Sequence, residues 1–333
     1  MKARVVVTLF ALVGVGSAIG FAYFLGESQA ESRYKESMSD TATDSSGFSG
    51  IEAYKAGVQK LLSGGPDEAE IFFDEEIKKT GDLRALFGKA VALFGKQDYK
   101  ESERLVIYII QSSEEDVLTM MSYYMLGLIR NATGDFEKAL QHLSTALEYF
   151  QNTNDVYNSF SSHLAFASVY LQQKRFVLAD EHLNKAYALP RTKRNNLSYF
   201  YHLKAKLNFF RGNIRRALEF ANLSLEEYRN LGYKDGISSS LCMVGLFEIL
   251  RGNLQEGYNK TMESQAMFEP EEFKRKDFYF YHAVNRMILQ KCEGGTSYMV
   301  IVSEILDHLK EKEDPRLQFL LDYAIKWDCQ PLE

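Results

Sequence analysis

The sequence predicts an all-α protein, a solenoid of antiparallel helix hairpins preceded by one amino-terminal transmembrane helix. Three observations carry that prediction. Tight polar turns begin at residues 64, 97, 134, 174, 212 and 252, which are 33, 37, 40, 38 and 40 residues apart, and self-similarity at such a period marks stacked helical units. Small residues flank each turn at a fixed offset. Residues 5–25, finally, hold no charge.

Residues 1–26 read as a signal-anchor helix. The uncharged run is long enough to span a bilayer, Lys2 and Arg4 precede it, and Glu27 and Glu31 follow. A positive flank stays in the cytoplasm, so a single-pass membrane protein is expected with its amino terminus cytoplasmic and its bulk extracytoplasmic, in a periplasm or its equivalent. Ser28-Gln29-Ala30 offers small residues where a signal peptidase reads, which makes a cleaved leader the competing expectation. Small-residue stripes let membrane helices touch backbone to backbone. Gly14, Gly16, Ala18, Gly20 and Ala22 form such stripes and allow a homodimer through this face. Residues 27–50, rich in Ser, Asp, Glu and Gly, read as a flexible tether.

Residues 51–275 hold about six repeats. Ala69, Ser102, Ala139, Ala179, Ala217 and Gly257 open the second helix of each, and Gly57, Ala90, Gly127, Ala167, Ala205 and Gly245 lie twelve residues earlier, in the first helix. Two helices joined by a short turn approach closely only where their facing side chains are small. Large apolar residues follow four positions after the second small one, as in Phe73, Val106, Leu143 and Leu183. Residues 276–333 read as three further helices, at 277–291, 296–310 and 315–326: a degenerate seventh hairpin and a capping helix that opens on Pro315.

The repeat resembles the tetratricopeptide repeat, whose pattern runs L-G-x2-Y, then A-x3-F, then a helix-ending Pro. Leu126-Gly127 with Ala139, Leu143 and Ala146 is the best local match, and Tyr170 and Pro190 supply the Tyr and Pro of the next unit. Lys60, Leu93, Arg130, Asn208 and Glu248 occupy the Tyr position elsewhere, and the early Trp is missing. The resemblance implies a right-handed superhelix whose concave wall is built by the first helices. It places Tyr124, Tyr199, His202, Lys206 and Phe209 in a groove for a protein or peptide partner. Chaperone-binding members of the family clamp a carboxylate with Lys, Asn and Arg at these positions; the apolar and aromatic groups here point instead to apolar anchors. The same positions also serve packing between neighbouring repeats.

No catalytic constellation emerges. His142, His163, His182, His202, His282 and His308 are scattered, with the nearest pairs on different predicted helices, so neither a metal site nor a cofactor is expected. Ser32 and Lys35 fit S-x-x-K, but in the tether nothing would hold them rigid. The net charge of −6 argues against a nucleic-acid partner. Cys292 and Cys329 could pair in an oxidising compartment, whereas Cys242 reads as core. The expected function is a membrane-tethered scaffold or adaptor that docks proteins on the extracytoplasmic side, in support of an envelope or secretion assembly. A released chaperone or ligand sensor of the same fold is the alternative, ahead of an enzyme assembled from dispersed residues.

Overall fold

Each recurring turn from residue 97 onward closes on one hydrogen bond, donated by the residue after the turn to the carbonyl five positions back. The pairs are Asp98 to Leu93, Asp135 to Arg130, Arg175 to Tyr170, Asn213 to Asn208 and Asn253 to Glu248, at 2.8–2.9 Å. Such a bond satisfies a carbonyl that a helix end leaves open, and it requires a left-handed residue at the bend. Gly134, Gly212 and Gly252 take that conformation freely, while Gln97 and Lys174 hold it at φ 65° and 64°. Asp82, Asp98 and Asp135 then cap the next helices, accepting from the backbone N–H of Arg84, Glu101 and Lys138.

The computed structural model describes residues 45–63, 65–190, 197–275, 279–295, 299–305 and 324–332. In chain order the helices are α1 (Ser45–Ser63), α2 (Pro66–Thr80), α3 (Leu83–Gly95), α4 (Tyr99–Ser112), α5 (Asp116–Ala132), α6 (Phe136–Asn152), α7 (Val156–Gln172), α8 (Phe176–Ala188), α9 (Ser198–Phe210), α10 (Ile214–Leu231), α11 (Lys234–Leu250), α12 (Leu254–Gln265), α13 (Pro270–Arg275) and α14 (Tyr279–Cys292). The described residues contain no strand. Helix α1 begins inside the segment read as a tether. The expected membrane helix, with Gly14, Gly16, Ala18, Gly20 and Ala22, lies outside the described residues. Among those described, no helix is long and apolar enough to cross a membrane.

The chain divides into two units. In the first, which includes residues 45–169 and 181–190, α1 packs on α2 and α3, α3 on α4 and α5, and α5 on α6. The twelve-residue offset is the point of closest crossing: Ser102 Oγ donates to the Ala90 carbonyl at 2.7 Å. Phe73 of α2 fills the space left by two glycines of the first helices, Gly57 and Gly88, and is fully buried. In the second unit, residues 170–180 and those from 197 onward, α9 packs on α10, α10 on α11 and α11 on α12. Backbones nearly touch at its small pair, where a Cβ on Gly257 would meet the Gly245 carbonyl at 2.9 Å. Helix α14 packs on both α11 and α12, the place of a further first helix. Residues 299–305 and 324–326 are helical within the two remaining predicted helices.

The carboxyl-terminal residues are fastened to the last hairpins. Cys292 and Cys329 form a disulfide, Leu332 donates its N–H to the Leu250 carbonyl at 2.7 Å, and Lys291 Nζ donates to the carbonyls of Ala324, Ile325 and Trp327. Trp327 is buried there.

Candidate functional site

The first helices are the natural place to look, because in a repeat array they carry the recurring inner-face positions. On α9, Tyr199, His202, Lys206 and Phe209 recur at helical spacing and share a face. The Tyr199 and His202 rings stack at 6.0 Å, and Phe209 meets Phe247 of α11 at 5.2 Å. All four are buried, His202 to 1% exposure and Lys206 to 2%. The groove expected from sequence is therefore, at these positions, interior wall: the packing role between neighbouring repeats is visible in the Phe209–Phe247 contact.

Two of these side chains are out of keeping with a core. Burial, and then the nearby Lys206, push the His202 imidazole well below its ordinary range, and neither ring nitrogen has a hydrogen-bond partner. Burial likewise pushes the Lys206 amine well below its usual value. An interior that held His202 for packing alone would be better served by Phe, since an unsatisfied buried polar group costs about 1–3 kcal/mol. Perturbed ionisable groups of this kind gather at functional sites.

Tyr124 belongs to the first unit, and its hydroxyl donates to the Ser161 carbonyl of α7 at 3.5 Å. Asn131, on α5, donates to Ser168 Oγ at 3.4 Å. Helix α7 buries Asn158, Ser159, Ser161, Ser162, His163 and Ser168. Sequence spacing alone did not single out these residues, whose signal was the run Asn158-Ser159 and Ser161-Ser162 near the start of the helix. Asp155 fixes its start, accepting from the backbone N–H of Asn158 at 3.0 Å and from Asn158 Nδ2 at 2.7 Å.

Among the described residues no group of three or more His, Cys, Asp and Glu side chains could hold a metal ion. Burial pushes the Cys242 thiol up to about 12, which leaves it unreactive.

Residues 117–192 match the family model of the tetratricopeptide repeat. This segment carries tetratricopeptide repeats. It spans α5 to α8, the hairpins that held the best local match to the tetratricopeptide pattern. Two solved structures share the fold over most of the chain. A Rap protein complexed with Competence and Sporulation Factor superposes with a TM-score of 0.64 at 11% identity, covering 94% of this chain and 88% of the other. NprR in complex with its cognate peptide NprX gives 0.56 at 14% identity, covering 94% and 97%. At such identities the likeness shows the tetratricopeptide-like fold alone. No curated protein sequence matches the chain.

Proposed function

We propose that this chain is a binding scaffold, without catalysis of its own, that receives a protein or peptide partner along the inner face of its first helices. The observation that carries the reading is His202, a buried imidazole with no hydrogen-bond partner, stacked on Tyr199 and near Lys206. Groups held ready in this way gain their hydrogen bonds when a ligand arrives. That NprR was solved with its cognate peptide supports a peptide as the kind of partner.

The finer reading is a right-handed superhelix anchored by residues 1–26 and standing outside the cytoplasm. The Cys292–Cys329 disulfide supports it, because such bonds persist in oxidising compartments. A membrane homodimer through Gly14, Gly16, Ala18, Gly20 and Ala22 belongs to the same reading.

A photo-crosslinking aromatic residue placed at Tyr199, in the full chain in its native membrane, tests the site. Adducts should form from position 199 and be absent from Tyr258, a half-exposed residue of α12. The reverse pattern would move binding to the outer helices. External protease on spheroplasts tests the topology: it should remove the repeats, and protection until lysis would overturn the orientation.

A further inference from the structure

The two helices of each middle hairpin share a recurring ring pair, formed by the residue four before the first small position and the residue three after the second. In α5 and α6 it is Tyr123 and His142, at 5.9 Å between centroids. Tyr201 and Phe220 form it in α9 and α10, at 6.2 Å. Between α7 and α8 both members are imidazoles, His163 and His182, 5.2 Å apart. The position is a packing position, and in this hairpin alone it is filled by two metal-ligating side chains.

Their geometry is specific. His163 Nδ1 and His182 Nδ1 lie 3.1 Å apart, one donating to the other. Two imidazole nitrogens bound to one ion at about 2.0–2.1 Å each stand roughly 3 Å from one another, so an ion can take the place of the shared proton, which moves to Nε2 of the donating ring, with little movement of either helix. Phe166 stacks on the His182 ring at 4.6 Å and fixes its orientation. His163 is buried, while His182 is only part-buried and gives solvent a way in. Burial holds both rings neutral down to about pH 4, helped by the Lys185 ammonium one turn along α8, so both keep a lone pair for a ligand at neutral pH.

The geometry points to a two-imidazole site between α7 and α8 for one transition ion of the Zn2+ or Cu2+ class, with water completing the coordination. Imidazole suits these ions, and no third His, Cys, Asp or Glu joins the pair among the described residues. By joining the two helices of one hairpin, the ion would bind the folded unit only and stabilise it.

Zn2+ is the probe, titrated calorimetrically into the untagged full chain in detergent. Wild type should take up one equivalent and gain melting temperature with the ion. His163→Tyr, which recreates the Tyr123–His142 pairing of the preceding hairpin, should bind at least tenfold more weakly and lose the ion-dependent gain, with its helicity unchanged. His182→Phe provides the same test should the first variant fail to fold. His142→Gln, which alters a histidine with a Tyr partner, should bind as wild type. Absence of Zn2+ uptake by wild type, or wild-type affinity in both His163→Tyr and His182→Phe, would overturn the site.

Discussion

A Cβ placed on Gly127 would stand 2.6 Å from Cγ of Leu143 and 3.3 Å from the carbonyl oxygen of Ala139, so α5 and α6 cross where only a glycine leaves room. Leu143 is itself fully buried. Gly127→Ala should therefore destabilise by about 1–3 kcal/mol through overpacking, against about 1 kcal/mol that alanine gains as a helix former. Leu143→Ala alone should cost about 2–5 kcal/mol. The double variant should lose clearly less than the sum, because each change relieves the other. Additive losses in denaturant melts would mean that the two residues do not share this crossing.

The Cys292–Cys329 bond closes a loop across 37 residues. In the chain-entropy account such a closure is worth about 4 kcal/mol, and removal of a native disulfide typically costs about 2–5. Cys329→Ser should bring that loss, together with faster proteolysis at residues 324–332, since the Lys291 and Leu332 hydrogen bonds and the burial of Trp327 would then have to hold them without the covalent tie. Unchanged cleavage in the variant would show that those contacts suffice. Thiol trapping of protein taken directly from cells would report whether the bond forms there.

Acid should unfold the chain through its histidines. Burial pushes His163, His182 and His282 down to about 4 and His202 well below its ordinary range. With folded values below the unfolded one of about 6.5, the unfolded chain binds more protons in the interval between, so stability falls as pH drops from about 6.5 towards 4. The slope should level off below that window as the folded imidazoles also charge. Calorimetric melts in buffers of different ionisation enthalpy should show net proton uptake on unfolding at pH 5.5. Proton release at that pH would contradict the burial of these rings.

The repeat was legible in the sequence because its determinants are local. A turn needs a left-handed residue and a close crossing needs a small one; Gly134, Gly252 and the Ser102–Ala90 contact stand where the spacing predicted. The accessibility of Tyr199, His202, Lys206 and Phe209 was not legible. Helical spacing places residues on a face, but whether that face meets solvent or the next repeat depends on how closely neighbouring first helices approach, as Phe209 and Phe247 do. His163 and His182 were visible only as two distant histidines. Their meeting follows from applying the Tyr123–His142 and Tyr201–Phe220 offsets to the intervening hairpin, a comparison that needs the register of both helices.

His202→Phe separates a binding role from a packing role. Phenylalanine keeps the stacking on Tyr199 and removes two buried ring nitrogens that have no partner. If His202 is kept for a ligand, the variant should gain about 1–3 kcal/mol, the usual penalty of an unsatisfied buried group. Its stability should also fall less between pH 6.5 and 4, because one depressed imidazole has gone. Affinity for the partner should drop at least tenfold, the pattern expected where a site is held at the expense of stability. Denaturant melts at pH 7 and pH 5 read the first two effects, and recovery of the crosslinked partner reads the third. A variant that is less stable and still binds would make His202 an ordinary packing residue, and with it the inner face of α9 would lose its claim to be the site.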